Sequence, residues 1–427
     1  MKLIIYRALT CLAKPFVRPL LALRRMKGKE HHDRARRAER LGRPSFPRPD
    51  GRIFWFDAVS VGESNSIMPM IDFILEEYPD SHVLVTTTTV TGAENMAAKL
   101  AGRRAVHQFL PLDRRAYADA FLEFWRPSAG FFVDSDFWPN MLLSAQAHGV
   151  PLILLNGRVS DRSHARWMRH RAAAARLMKA FVYALAKSGD DARKLSEMGI
   201  NSVECVGNLK YGAPPLAFDR ERLNALTKST GSRRSWVASV THPGEEEIVL
   251  RAHGIIREKF PDALLVIAPR HPNRGREVAA MARGAGFETG LESASEQITN
   301  QTEVYVSDVL GGLGLYYAFS GLVFVGGSLL PALDGHNPME AARLGAAVMS
   351  GRNVASFLET YEILERDGAV IMADGGDELA RNVTELLSNP GRLAELRGKA
   401  LKTANREAAV IERAKERLKE RLKGIAD

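Results

Sequence analysis

The chain has 427 residues, too many for one ordinary core and suited to two domains of about 150–200 residues each. Its 45% apolar and 26% charged residues are those of a globular protein, and its two cysteines, Cys11 and Cys205, are too far apart for a disulfide scaffold or a cysteine-based zinc site. The net charge of +9 is local: residues 1–50 carry 14 Lys/Arg against four acids, leaving the other 377 residues near −1, so one anionic partner at the N-terminus is expected and a body-wide nucleic-acid surface is not.

Met1 to Leu23 is apolar but interrupted by Lys14, Pro15, Arg18 and Pro19. A spanning helix needs about 20 mostly apolar residues and suffers from charges at mid-depth. A secretory signal would need a continuous apolar stretch and a small-residue cleavage site. The segment therefore reads as an interfacial anchor, with the basic run Arg24–Arg43 meeting anionic headgroups at about 1 kcal/mol per charge. The alternative is a helix packed on the protein's own body. Residues 1–50 form the anchor and hinge in this reading.

After the Pro-rich stretch Arg43–Pro49, apolar runs alternate with helical patterns: Ile53–Val59, His82–Thr86, Gly130–Val133, Leu152–Leu155 and Phe181–Ala184. The rhythm restarts past Gly212–Pro215 with Trp236–Ser239, Leu264–Ala268, Val304–Val306, Leu322–Val325, Ala346–Met349 and Val370–Met372. Short continuous apolar runs between helices predict parallel strands covered on both faces. The expected fold is α/β, with two doubly wound parallel-sheet domains at 51–212 and 213–427, the second ending in one long charged helix from Gly391 to Ile425.

Ligands of such sheets bind beyond the carboxyl ends of the strands. After Val59, the small-residue turn from Ser60 displays Glu63, which can serve as a general base or simply favour a helix N-terminus. After Val133, Asp134 and Asp136 can orient a base, bind hydroxyls or cap a helix. Arg158 and Arg162, in the polar loop after Leu155, suit a phosphate as well as ordinary loop chemistry. In the second domain Pro269-Arg270-His271 follows one run, and Gly326-Gly327-Ser328, whose glycines permit close approach to a ligand, follows another. A helix starting at Pro338 in Asn337-Pro338-Met339-Glu340 would offer a phosphate site, with Glu340 placed for ribose hydroxyls. Gly311-Gly312-Leu313-Gly314 is half a dinucleotide fingerprint without the strand and turn that would support it. No phosphate loop of the GxxxxGK[ST] kind and no zinc spacing occurs in the sequence.

Eight segments resemble the 3-deoxy-D-manno-octulosonic acid (Kdo) transferases of lipopolysaccharide assembly: FWFDAVSVGESNS, TTTTVTGAE, DSDFWPNML, LLNGRVSDRS, VGNLKYG, THPGEEEIVLRAH, APRHPNR and FVGGSLLPALDGHNPMEAARLG. They stand in the family's order across residues 53–360. The resemblance implies the GT-B architecture, with a lipid A precursor as acceptor on the first domain and CMP-Kdo as donor on the second. It implies Glu63 as the base, Asp136 or Asp134 as a supporting acid, and Lys210 as the cation that stabilises the transition state. Donor contacts would come from Pro269, Arg270, Leu310, Gly311, Gly312, Gly327, Ser328, Asn337, Pro338, Met339 and Glu340, and acceptor contacts from Ser60, Arg158 and Arg162. No metal is expected, since Lys210, Arg270 and helix N-termini can carry the phosphate charge. The location implied is the cytoplasmic face of the inner membrane, peripheral or monotopic. A GT-B transferase using another nucleotide sugar, such as a UDP donor, and a non-catalytic membrane scaffold are the alternatives.

The chain departs from the family pattern at Asp134 and Asp136, where two glutamates are usual, and at Gly312 within a common GEL. Val240 replaces a usual serine, Pro243 replaces an acid, and the loop Leu330–Asp334 lacks the glycine that usually precedes Gly335.

Overall fold

The computed structural model describes residues 2–31, 33–135, 137–212 and 214–424. The chain forms two compact units, Met1–Ala213 with Glu407–Asp427, and Pro214–Arg406.

The first unit holds β1 (Arg52–Asp57), β2 (Ser81–Thr87), β3 (Ala105–Phe109), β4 (Ala129–Val133), β5 (Leu152–Gly157), β6 (Phe181–Ala186) and β7 (Val203–Cys205). They make one parallel sheet in the order β3-β2-β1-β4-β5-β6-β7. The second unit holds β8 (Ser235–Thr241), β9 (Leu264–Pro269), β10 (Thr289–Leu291), β11 (Val304–Val306), β12 (Leu322–Val325), β13 (Ala347–Ser350) and β14 (Val370–Met372). These are also parallel, in the order β10-β11-β9-β8-β12-β13-β14.

β1 shows why the runs are apolar throughout. Trp55 enters the core on one face, against Phe121 and Phe132, while Phe54 and Phe56 enter the core on the other, where Phe56 stacks on Phe131 with ring centroids 4.5 Å apart. Each such burial contributes about 1.5–3 kcal/mol. The Trp55 Nε1–H donates to Thr86 Oγ1 at 2.8 Å, so its polar atom is not left unmatched.

All eleven apolar runs are strands, and β3, β7 and β10 are additional. All three additional strands lie at sheet edges. An edge strand has one neighbour and tolerates polar residues, and β3 reads AVHQF. That blunts the apolar run by which central strands are recognised.

The C-terminal region differs from the expected single helix. Pro390–Ala408 and Val410–Leu422 are separate helices. Leu396 of the first joins the core of the second unit, whereas Val410, Ile411, Ala414, Leu418 and Leu422 join the core of the first. The chain turns at Ala409 between them. The final helix therefore belongs to the first unit and not to the domain beginning at residue 213.

At the N-terminus two helices, Lys2–Leu12 and Lys14–Met26, replace a single anchor. Among the described residues no helix is long and apolar enough to cross a membrane. Ile5, Leu9, Leu12, Phe16, Leu20 and Leu23, spaced by three or four, are all exposed. The basic run behind them is partly internal. Arg40 is buried, ion-paired with Glu30 and donating to the carbonyls of Thr88 and Leu110, and Arg24 also pairs with Glu30. These arginines pack on the protein's own body and do not face headgroups as the whole run was expected to do.

Candidate functional site

In the first unit the strand order reverses between β1 and β4, and the loops after these strands flank the resulting crevice. Ser60 caps the helix Val61–Ser66, accepting from the Glu63 amide at 3.3 Å and donating its hydroxyl to Glu63 Oε1 at 2.9 Å. Glu63 Oε2 accepts from the Val59 amide at 2.8 Å. This is a complete capping box, so Glu63 is oriented by Val59 and Ser60 of its own turn while remaining partly exposed. Ser60 serves here as the partner of Glu63.

Asp134, directly after β4, lies in the left-handed region at φ +59°, as does Asn156 near the end of β5 at φ +53°. Asp and Asn are the non-glycine residues that tolerate this conformation best. The turns bring their side chains together: Asn156 Nδ2 donates to Asp134 Oδ1 at 2.6 Å. Lys210 Nζ donates to Asp134 Oδ2 at 3.0 Å. Asn156 Oδ1 accepts from the Leu209 amide at 2.9 Å, which fixes the turn Leu209–Gly212 that carries Lys210. The helix bearing Glu63 packs against this same turn. Glu63, Asp134 and Lys210 therefore gather at one end of the sheet, and Asp136 lies outside the described residues. Asn156, not singled out in the sequence, is the hub; its signal was a polar residue before glycine at a strand end. Arg158 and Arg162 line a separate open pocket of about 620 Å³ beside Ser135.

In the second unit the reversal lies between β8 and β12. Val240, at φ +50°, interrupts the register of β8 against β9. A β-branched residue rarely adopts this backbone, so strain is stored where the chain turns from β8 to His242. His242 Nε2 and His336 Nε2 are 2.8 Å apart, so one ring donates and the other accepts. Burial, then the neighbouring His242 and Arg270, holds His336 down to about 4. Burial also lowers His242.

Glu245 organises this end of the sheet and was missed in the sequence. It is fully buried in the first turn of the helix Glu245–Lys259 and accepts the amides of Gly327, Ser328 and Leu329 at 2.7–2.9 Å and that of His242 at 3.0 Å. Four donors and the positive helix end offset the desolvation of its charge. This changes the reading of Gly327 and Ser328 as donor contacts. Their amides are committed to Glu245, and the buried Ser328 hydroxyl donates to the Val325 carbonyl and accepts the Gly351 amide, both at 2.8 Å. Gly327 lies at φ +70°, and a Cβ there would stand 2.5 Å from the His336 ring, so its close neighbour is a side chain of its own unit.

Arg270 follows β9 with an exposed side chain, after the buried Pro269. Burial pushes the Glu340 carboxyl up, opposed by a hydrogen bond from Asn337 and by the Arg270 charge. Asn337 Oδ1 accepts the Met339 amide at 3.1 Å, and Pro338 is the N-cap. The helix that follows, Met339–Arg343, has five residues and not the length expected of a phosphate-binding helix. The aligned dipoles of so short a helix sum to little. Leu310, 89% exposed, and Gly311, at φ +85°, precede Gly312 and the helix Leu313–Ser320. The expected strand Val304–Val306, β11, ends ahead of this glycine run.

The profile of the 3-deoxy-D-manno-octulosonic-acid transferases (kdotransferases) matches residues 35–213. A probable mitochondrial 3-deoxy-D-manno-octulosonic acid transferase of Arabidopsis thaliana is 34% identical over 401 residues, covering 90% of this chain and 88% of that protein. The chain belongs to the Kdo transferase family. A Rickettsia felis 3-deoxy-D-manno-octulosonic acid transferase is 30% identical over 84% of this chain and 77% of its own. The structure of UDP-GlcNAc 2-epimerase from Neisseria meningitidis superposes with a TM-score of 0.58 at 14% identity, covering 87% of this chain and all of that one, which shows the shared two-domain fold. In this Kdo transferase Asp134 reaches Lys210 at 3.0 Å.

Proposed function

We propose that this Kdo transferase moves Kdo from CMP-Kdo to a hydroxyl of a lipid A precursor, with inversion, in lipopolysaccharide assembly. The observation that carries the proposal is the juxtaposition of Asp134 and Lys210 at 3.0 Å beside the turn that packs on the Glu63 helix, in a chain of this family. Glu63 takes the proton of the acceptor hydroxyl. That oxygen forms the new bond to the Kdo anomeric carbon as the bond to the CMP phosphate oxygen breaks. The Lys210 ammonium stabilises the charge that builds on the departing phosphate. Asp134 orients Lys210 and, through Asn156, the turn that carries it.

The donor falls to the second unit, with Arg270 set against the nucleotide phosphate and Asn337 and Glu340 available to ribose hydroxyls. Leu310 and Gly311 provide an exposed backbone approach, with Gly312 buried behind them. Lys210 and Arg270 supply the positive charge that the reaction requires, so the proposal includes no metal. The exposed row from Ile5 to Leu23 dips into an anionic membrane surface, which holds the enzyme peripherally at the cytoplasmic face of the inner membrane.

The test is incubation of the purified protein with a lipid A precursor and CMP-Kdo generated in situ, followed by mass spectrometry. A product heavier by one or more Kdo units supports the proposal. No adduct, with a known transferase working alongside, overturns it.

A further inference from the structure

We infer that the His242–His336 pair is a one-proton anion site, neutral while the second unit is empty and charged when an oxyanion of the donor binds. The inference rests on the donor reading above and adds to it a proton taken up on binding.

His242 directly follows β8, and His336 lies 94 residues later, in the loop before the helix Met339–Arg343. Their ring planes are within 9° of parallel, with centroids 5.1 Å apart and Nε2 atoms 2.8 Å apart. A Cβ on Gly327 would stand 2.5 Å from His336 Cδ2 and 3.5 Å from His242 Cδ2. Both rings therefore present Cδ2 to Gly327 and turn their Cε1–Nδ1 edges away from it. The Tyr361 hydroxyl donates to the His336 carbonyl at 3.2 Å, and Glu245 accepts the His242 amide at 3.0 Å, so the backbone is held on each side. Neither Nδ1 has a hydrogen-bond partner among the described residues.

In the neutral pair, the ring that donates from Nε2 has a bare lone pair on Nδ1, and only the accepting ring carries an Nδ1–H. An oxyanion would meet one donor and one lone pair. A proton added to the bare Nδ1 leaves the shared Nε2–H···Nε2 bond in place and makes both outward nitrogens donors. A second proton would set two N–H groups against each other across 2.8 Å, so the pair stops at one.

The surroundings keep the empty pair neutral. Burial disfavours a charge on either ring, and so do the neighbouring cations. These are Arg270, whose exposed guanidinium has no ion-pair partner among the described residues, and His271, edge-on to His242 at 6.0 Å between centroids. Arg274 acts on His242 too, though Glu246 and Glu277 pair with it. Glu245 opposes them, but its charge is spread over four amides. Tyr361 carries no charge, because burial pushes its hydroxyl up. An oxyanion would offset the cations and return the pair toward the ordinary proton affinity of histidine.

A neutral pair that merely ties two loops together is the plainer reading. Two observations favour a site: both Nδ1 atoms are left unmatched, and the pair lies past the carboxyl end of β8, at the strand-order reversal between β8 and β12.

The donor has two oxyanions, its phosphodiester and its sugar carboxylate, and the experiment separates them. The first probe is the methyl phosphodiester of CMP, which has no carboxylate and whose phosphate does not titrate near neutral pH. Calorimetry at about pH 6, in two buffers of unlike ionisation enthalpy, should show the wild type taking up about half a proton or more per ligand, as a pair restored to about 6.5 would. His242→Asn/His336→Asn keeps planar polar groups and should take up none; uptake that survives in it overturns the inference. His271→Asn should retain the uptake, which locates the proton even if the double variant does not fold, and loss of uptake there also overturns it. If the wild type binds the methyl ester without a proton, the KM for CMP-Kdo decides. A KM that falls by up to about tenfold per pH unit below about 6.5 in the wild type alone assigns the proton to the carboxylate. The fall should level off near 4, where the empty pair also takes the proton. The same pH dependence in both proteins overturns the inference. If the wild type neither binds the methyl ester nor uses CMP-Kdo, the donor reading fails by itself. Inorganic sulfate then reads the pair: proton uptake by the wild type beyond that of the double variant supports an anion site, and none overturns it.

Discussion

Lys210 Nζ meets Asp134 Oδ2 at 3.0 Å across 76 residues of sequence, and one asparagine, Asn156, holds both the acid and the turn that carries the lysine. The lysine is partly exposed, so the pair contributes about 1 kcal/mol or less to stability. Its effect should appear in the rate. Lys210→Ala is expected to reduce turnover about 100-fold, as loss of a preorganised charge does, with little change in acceptor KM. Asp134→Asn should lose less, and the double variant no more than Lys210→Ala, because the acid acts through the lysine. Additive losses would separate the two residues, and a normal rate in Lys210→Ala would remove the lysine from the mechanism.

Glu63 holds two roles that substitution can divide. Glu63→Gln keeps a side chain that serves at this position of a capping box but removes its basicity. Turnover should fall about 100-fold or more while the Tm stays near the wild-type value. Glu63→Ala should lose the same activity and also about 0.5–2 kcal/mol of stability, the usual effect of a lost cap. Substantial turnover in Glu63→Gln, measured with saturating donor, would mean that the glutamate is a cap alone.

Most of the fold was legible in the residues, because a strand covered on both faces has to be apolar along its whole length. The three strands that escaped lie at edges, where that requirement lapses. Glu63, Asp134 and Lys210 were legible as polar residues after strands or within a family motif. Glu245 was not: a glutamate in a helical first turn looks like any other, and its burial depends on amides more than 80 residues away. Gly327 was read as making room for a ligand, since nothing local to it reveals that His336 takes that space.

Acid should destabilise both units through histidines buried in neutral form. His253 accepts from Trp236 Nε1 at 3.2 Å and contacts the Glu303 carbonyl at 3.1 Å, and burial lowers it to about 3. His107 is likewise lowered to about 3, first by burial and then by Arg36 and Arg40. Below about pH 6.5 the unfolded chain takes up protons that these folded sites refuse, so stability is complete above that value and is lost as pH falls toward 3. The loss should be on the order of a few kcal/mol per site over the full range. Calorimetry should show a Tm that declines between pH 6.5 and 5, before most carboxylates titrate. A flat Tm in that window would contradict neutral burial.

The exposed N-terminal row offers a cleaner membrane test than removal of the segment. The Tyr6 hydroxyl donates to Asp113 at 2.7 Å and Asn140 donates to the Thr10 hydroxyl at 3.2 Å, so deleting residues 1–23 would also uncover a half-buried carboxylate. Leu12→Ser with Phe16→Ser and Leu20→Ser changes only exposed side chains. Vesicle affinity should fall about 100-fold or more, at about 1 kcal/mol or more for each apolar group kept out of the bilayer, with an unchanged urea midpoint. Full sedimentation with vesicles would place the membrane contact elsewhere.

The helix Val410–Leu422 gives the chain an order of assembly. Its five apolar residues fill the core of a unit whose strands end at Cys205, so that core stays open until residues 410–422 have been synthesised. The second unit is continuous in sequence and can complete itself while the first still waits, reversing the usual N-terminal-first sequence of domain folding. A nascent chain stalled near residue 406 would present a finished second unit and a first unit with a vacant hydrophobic slot, the kind of surface that chaperones and proteases recognise. A premature stop near the C-terminus would accordingly act as a lesion of the N-terminal half.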